Sequence, residues 1–358
     1  MLTRSSRVLL VALLSWMMTG YASCLAQAPV SAGSVNTVLN PLSFSGSDIG
    51  AQINTAWKSG LGKTVLVPPG TYSFSTTIAL PGDGYALECD AGATLNYTGS
   101  SDAILLPYQN QISIGNSGVD GRGGCLLQGT SAAQSGIHIL AAINGARIRN
   151  MRISGFTEGY GIYDTGGNTV TIAQSHITGN RTGVYLTGSP YGSAYAADGI
   201  HIYDDDISGN SEWGVDFENS HAPSTSNLGN SIVGNSLTGN GHGGIEVAFG
   251  DAVTIQNNYF KNSGVNVDIG NGDDTVHGNS ILQNYFDSTS VAESISLGYA
   301  TNTHLEDNSE TALSSSACFI NEITGPNGGI ANTRGFGTNY PAANSHEFCK
   351  QGIATTNP

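Results

Sequence analysis

Four acidic residues fall where the chain otherwise alternates like a buried strand. Asp216 and Glu218 lie in "WGVDFENS" (213–220), Glu246 in "GGIEVAFGD" (243–251) and Asp268 in "GVNVDIG" (264–270). Successive strand residues point to opposite faces, so with Val215 and Phe217 inward, Asp216 and Glu218 face out. Crowded carboxyl groups push one pKa up and leave another ionised, so an acid and a base coexist near neutral pH. Cleaving a glycosidic bond needs that division: one carboxylic acid protonates the leaving oxygen, and another acts as nucleophile or activates water. Like charges on neighbouring strands repel, which marks the cluster as functional. The expected proton-transferring pair is Asp216 and Glu246, with Glu218 and Asp268 as partner acids or as substrate or cation ligands.

The elements that hold these acids repeat. One half-motif reads "VTIAQSHITGN" (170–180), "IHIYDDDISGN" (200–210), "NSIVGNSLTGN" (230–240), "VTIQNNYFKN" (253–262) and "VHGNSILQN" (276–284). Each is followed by a strand, four of them glycine-led: "GVYLTG", "GVDFEN", "GIEVAF", "GVNVDIG" and "SISLGY". The apolar residues Ile153, Ile177, Ile207, Leu237, Phe260 and Ile281 recur at separations of 24, 30, 30, 23 and 21 residues. Short alternating strands punctuated by Gly and Asn at this period predict one solenoid coil per repeat. Ser175, Asp205, Asn235, Asn258 and Asn279 fall at one turn register, where stacked polar side chains can satisfy bent backbone. The "DDD" at 204–206 is therefore read as structural.

Stacked coils lie about 4.8 Å apart. Laying the glycine-led strands over one another predicts two outward columns. The first runs His138, Tyr163, Tyr185, Asp216, Glu246, Asn266, Ser296; the second runs Thr187, Glu218, Ala248, Asp268, Gly298. Long connections at 188–198 and 219–230 flank the acid pair, and such insertions on one edge of a solenoid build a groove wall. They bring Tyr191, Tyr195 and His221, while Tyr163, Tyr185 and Trp213 lie close by. Aromatic rings beside carboxylates suit a sugar, so these residues, with His242 and Asn266, are the expected substrate-binding set.

These repeats resemble the right-handed parallel β-helix proteins of the pectin-lyase-like superfamily. "DIGAQINTAWKSG" (48–60), an amphipathic helix with Asp48 as N-cap, and "KTVLVPPGTYSFSTTIAL" (63–80) strengthen the resemblance. It implies an all-β, single-stranded right-handed parallel β-helix (solenoid) with a short N-terminal capping helix that shields the first sheet edge. It also implies polysaccharide activity, with polygalacturonase-type hydrolases or polysaccharide lyases as nearest relatives. "ADGIHI" (197–202) and Gly241-His242-Gly243 are faintly similar to hydrolase motifs, but the Arg-Ile-Lys segment and the paired aspartates on the catalytic strand are missing. A galacturonan substrate is accordingly not implied.

The remaining features bound the setting. Arg4 and Arg7, the run "VLLVALLSWMM" and the small residues before Gln27 read as a secretory signal peptide at 1–26. Cleavage ahead of Cys24 as a lipoprotein is the minor alternative. The solenoid with its cap is assigned to 27–310 and a capping tail to 311–358. Four cysteines remain after cleavage, and sequence proximity suggests Cys89–Cys125 and Cys318–Cys349. A formal net charge of −15 with no basic patch excludes nucleic acid and works against anionic substrates unless a cation mediates. No second stretch is long enough to span a membrane, and monomer and homo-oligomer are left open. No organic cofactor and no zinc site is implied. The partner is a polysaccharide or oligosaccharide, and the leading function a secreted or periplasmic glycoside hydrolase. The alternatives are a lyase or epimerase with Ca²⁺ in the acidic cluster, and a non-catalytic carbohydrate-binding or adhesin-like β-helix. Lyases of this superfamily generally place a Lys or Arg at the sugar, and the nearest here, Arg181 and Lys261, fall in turns.

Overall fold

The computed structural model describes residues 37–107, 111–115, 124–140, 145–188, 198–218, 229–270, 276–287, 293–298, 300–311, 318–323, 333–334 and 346–351. The signal segment, Tyr191, Tyr195 and His221 lie outside them.

Three parallel sheets of 12, 10 and 11 strands run the length of a right-handed β-solenoid. From Thr64 onward consecutive strands belong to different sheets, and strands pair in parallel with their counterparts one coil away, as Ile177 does with Ile207 and Ile207 with Leu237. Inward residues fill the bore: Ile153, Ile177, Ile207, Leu237 and Phe260 are all fully buried. The next member of that row is Phe286, not Ile281. Ile281 pairs with Ile255 in the 12-stranded sheet. The sequence row slipped by one strand because two similar apolar triplets occupy that coil.

The turn between the first two sheets explains the "DDD". Asp204 adopts φ +58°, a left-handed conformation that short polar residues tolerate. Asp205 then points inward and accepts Ser175 N–H at 2.6 Å, while Asp205 N–H donates to Asn235 Oδ1 at 2.9 Å. Asn258 continues the ladder and leads to Asn284 at 2.9 Å. The expected rung Asn279 instead caps Val253 N–H in a neighbouring ladder, the same slip that displaced Ile281. Asp206 turns outward towards His176 at 3.2 Å.

The helix forms as expected over Ile49–Lys58. Asp48 accepts Ala51 N–H at 2.8 Å at its N-terminus and Ser75 and Thr76 N–H at 2.9 and 3.0 Å, tying the cap to the first coil. Burial would raise its pKa, but these hydrogen bonds hold it below the ordinary value. Cys89 and Cys125 form the disulfide suggested by their proximity, with Cα atoms 5.1 Å apart. The second pairing meets a different register. Cys318 lies opposite His346 and Cys349 opposite Asn321, three positions apart, about 10 Å along the strand. That exceeds the Cα reach of a disulfide. Both cysteines sit in strands that extend the 11-stranded sheet, so the solenoid pairing continues into the segment assigned as a tail.

Candidate active-site cleft

The acids lie on the 11-stranded sheet, and its register decides which of them meet. Tyr185 pairs with Asp216, Asp216 with Glu246, and Glu246 with Asp268. Asp216, Glu246 and Asp268 therefore stack in one outward column at successive coils, continued by Ser296. This corrects the expected second column. Asp268 belongs to the first, and Glu218 pairs with Thr187 on one side and, across a bulge, with Phe249 on the other. Asn266 does not face out. It is fully buried, and its Oδ1 accepts from Asn262 Nδ2 at 3.1 Å.

The error has a local cause. At Gly214 a Cβ would sit 2.7 Å from the next coil's Gly244 oxygen and 2.9 Å from Asn240 Nδ2, so the position excludes a side chain while the asparagine ladder runs beside it. The ladder passes Asn180, Asn210, Asn240 and Asn262, and Asn266 Oδ1 supplies the acceptor that follows. Asn266, not Gly264, occupies the glycine place of this coil, and aligning on Gly264 shifted the strand by two residues.

A cleft of about 410 Å³ opens over this face, lined by Tyr160, Arg181, Thr182, Tyr185, Glu212, Trp213, Asp216, Glu218, His242 and Glu246. Five of the expected residues, Asp216, Glu218, Glu246, Tyr185 and Trp213, meet there, and His242 joins them with its ring 6.2 Å edge-on from Trp213. Asp268 and Tyr163 remain in the column but outside the lining. Tyr160, Arg181, Thr182 and Glu212 were not anticipated as site residues. Arg181, Glu212 and His242 stack at the turn that enters the sheet, linked by Glu212 N–H to Arg181 O at 2.7 Å and His242 N–H to Glu212 O at 3.0 Å. Arg181 lies in a turn as expected and lines the cleft, whereas Lys261, expected in a turn, closes the strand Tyr259–Lys261. Tyr160 opens the strand Tyr160–Asp164, and its ring meets those of Tyr163 and Tyr185, although simple alternation counted from Tyr163 assigns it to the other face.

The rings meet one another. Tyr160 stacks on Tyr185 with centroids 4.5 Å apart and planes 8° apart, and Tyr163 stacks on His138 at 4.5 Å. Much of the ring face is thus spent between coils, and the stack presents edges and hydroxyls more than open faces to a ligand. Tyr185 O–H donates to Glu218 Oε2 at 2.5 Å. Burial first, then that bond, push the Tyr185 phenol above its ordinary pKa, so it stays a donor.

Asp216 is 7% exposed, and among the described residues its Oδ1 has no hydrogen-bond partner. Burial, then the charges of Glu246, Glu218 and Glu212, push its pKa up to about 8, against a smaller lowering by Arg181. At neutral pH it is mostly a carboxylic acid. Asp268 is pushed up to about 6, by burial first, with Ser296 hydrogen-bonding it in the opposite sense. The cleft therefore holds a proton donor beside other carboxyl groups.

Comparison with known proteins fits this architecture. Residues 75–280, more than half of the chain, match the family described as NosD, periplasmic copper-binding protein. The chain belongs to the NosD family. It is an exported protein, secreted or periplasmic, and no described helix is long and apolar enough to cross a membrane. A search of curated protein sequences finds no match. Among solved structures, ORF18 of Geobacillus virus E2 superposes with TM-score 0.62 at 15% identity, covering 88% of the NosD-family chain and 62% of the viral one. The NosD-family chain thus spans less than two thirds of that protein's length. DFA-IIIase from Arthrobacter chlorophenolicus A6, without its lid and in complex with GF2, gives 0.57 at 10% identity, covering 88% and 92%. The Streptococcus pneumoniae surface protein and adhesin PfbA gives 0.50 at 13%, covering 88% and 100%. At these identities the likeness is one of fold.

The copper of the family's description would need imidazole or thiolate ligands in a compact set. Among the described residues no group of three or more His, Cys, Asp or Glu is arranged to hold a metal ion. The described residues do not fit copper, and the stacked acids do not form a Ca²⁺ cage.

Proposed function

We propose that the cleft hydrolyses a glycosidic bond in a polysaccharide or oligosaccharide. Asp216 serves as general acid, Glu218 as the carboxylate that attacks or activates water, and Glu246 as the neighbour that keeps the proton on Asp216. The observation that carries this reading is Asp216: buried, with one oxygen unpartnered among the described residues, raised to about 8 and lining an open cleft beside three further carboxyl groups. A group so placed can protonate a leaving oxygen at neutral pH. Tyr185 fixes Glu218 through its hydroxyl, the kind of second contact that holds a reacting group in line. DFA-IIIase, captured with GF2, lends the fold a precedent with a bound ligand.

Arg181 in the lining favours a second reading, β-elimination or epimerisation, because a basic residue does stand at the cleft. Its pairing with Glu212 at 2.9 Å weakens that reading. The adhesin PfbA supports a binding role on the same fold. One experiment separates the three: incubate the purified protein with a polysaccharide panel, with and without EDTA, and follow reducing ends and the ultraviolet absorbance of unsaturated sugars. New reducing ends without absorbance, lost in Asp216→Asn, are expected. Absorbance means elimination, and silence on every polymer with retained binding means a carbohydrate-binding protein.

A further inference from the structure

The cleft treats its charges unevenly. Asp216 and Glu246 line it as buried groups, whereas its one guanidinium, Arg181, is 42% exposed and paired with Glu212. Arg181 Nε pairs with Glu212 Oε2 at 2.9 Å, and the guanidinium carbon lies 5.9 Å over the Tyr160 ring. Both its charge and one face are thereby engaged before any ligand arrives.

We propose that the cleft selects glycans whose sugars are uncharged, and that Glu212 sets this selectivity by holding Arg181 away from a ligand carboxylate. The inference rests on the reading of the cleft as a glycosidase site and adds the class of substrate and the residue that decides it. An acidic sugar would bring a further negative charge to interior carboxyl groups, with the local cation already paired, and juxtaposed like charges are what interfaces use to reject wrong partners. An amino sugar fails for the opposite reason. Its ammonium beside Asp216 would favour the charged carboxylate and remove the proton the reaction needs. A neutral sugar's hydroxyl, donor and acceptor at once, can engage the Asp216 carboxyl that lines the cleft and disturbs neither balance.

The test uses starch, inulin, β-glucan and galactan, each paired with a derivative whose primary hydroxyls are oxidised to carboxylates. Binding is measured for the exported protein, Glu212→Gln, Arg181→Gln and the double variant, with melting temperatures alongside. The wild type is expected to prefer at least one neutral polymer over its carboxylated form by about tenfold or more. Glu212→Gln frees the guanidinium and gains roughly fivefold for the carboxylated polymer, the size of a partly exposed ion pair. Arg181→Gln breaks the same pair without freeing a cation, so it keeps the wild-type preference, and it erases the gain in the double variant. Equal or tighter wild-type binding of the carboxylated polymer, no binding of any polymer, or an unchanged ratio in a folded Glu212→Gln overturns the proposal. If Glu212→Gln does not fold, a loss of preference in Arg181→Gln overturns it instead. Selective binding without bond cleavage rejects the hydrolase reading alone, and cleavage without charge preference rejects this inference alone.

Discussion

Asp205 and Asp216 lie one strand apart in the same coil, both buried, both with one oxygen lacking a hydrogen-bond partner, and both with a pKa pushed up to about 8. They differ in what surrounds them. Asp205 sits in a turn, accepts Ser175 N–H at 2.6 Å and is flanked by ladder residues whose side chains are committed to backbone. Asp216 faces a cleft with Glu218, Glu246 and Tyr185. In both, burial is the largest cause of the shift. The causes that follow separate them: at Asp205 the Ser175 hydrogen bond lowers the value and one exposed aspartate, Asp204, raises it, whereas at Asp216 three cleft carboxyls raise it. A raised pKa marks burial, and only the neighbours show whether the proton can reach a ligand.

The comparison breaks most visibly at Asp216. Asp216→Asn keeps the shape but removes the transferable proton. Turnover on the polymer identified by the panel should fall about 10²- to 10⁴-fold, with binding of that polymer retained and melting temperature unchanged or higher. A loss under tenfold would remove Asp216 from the acid role. Tyr185→Phe comes next, deleting the hydroxyl that holds Glu218. A misoriented carboxylate should lower kcat about tenfold with little change in KM, measured by initial rates.

The pH profile carries a smaller and more diagnostic effect. A general acid acts only while protonated, so kcat/KM should be flat through neutrality and fall as pH rises through about 8. Glu246 is the leading charge that raises this value, and Glu246→Gln should move the alkaline limb down by roughly one pH unit. An unmoved limb would mean that the titrating group is not Asp216.

Much of this contrast was legible in the sequence. The repeat, the inward apolar rows, the turn ladder and the outward acids all follow from a period of two within strands and a fixed glycine and asparagine punctuation. Asp205 was assignable to a turn because it shares a register with Asn235 and Asn258. What failed was register within two successive coils: Ile281 and Asn279 were taken one strand too early, and the strand with Asn266 was shifted by two residues. Asn266 stands where other coils carry glycine, so Asp268 was placed beside Glu218 when it stacks on Glu246. Alternation also misplaces Tyr160, whose ring lies with those of Tyr163 and Tyr185, and it does not reach residues in the turns, which hid the role of Arg181 and Glu212. Those three depend on how coils stack at a corner, and no single strand encodes it.

The smallest expected effect on turnover is at Asp205, and it is the sharpest check on the comparison. Its folded pKa of about 8 exceeds the unfolded value of 3.8. The stability linked to it is therefore complete below about pH 4 and is lost as pH rises through 8. Asparagine at this position matches its ladder neighbours: Asn235 Nδ2 donates to Ile202 O at 3.0 Å and to Asn258 Oδ1 at 3.0 Å. Asp205→Asn can repeat that pattern, adding donors where an ionised carboxylate has none. Its melting temperature should exceed the wild type's at pH 8 and converge with it near pH 4, while kcat stays within about twofold, as for a substitution remote from the chemistry. The slope that remains should belong in part to Asp216 and flatten further in the double asparagine variant. A drop in turnover on Asp205→Asn comparable to that at Asp216 would show that the ladder and the cleft share one titrating network, and the separation drawn between the two aspartates would fail.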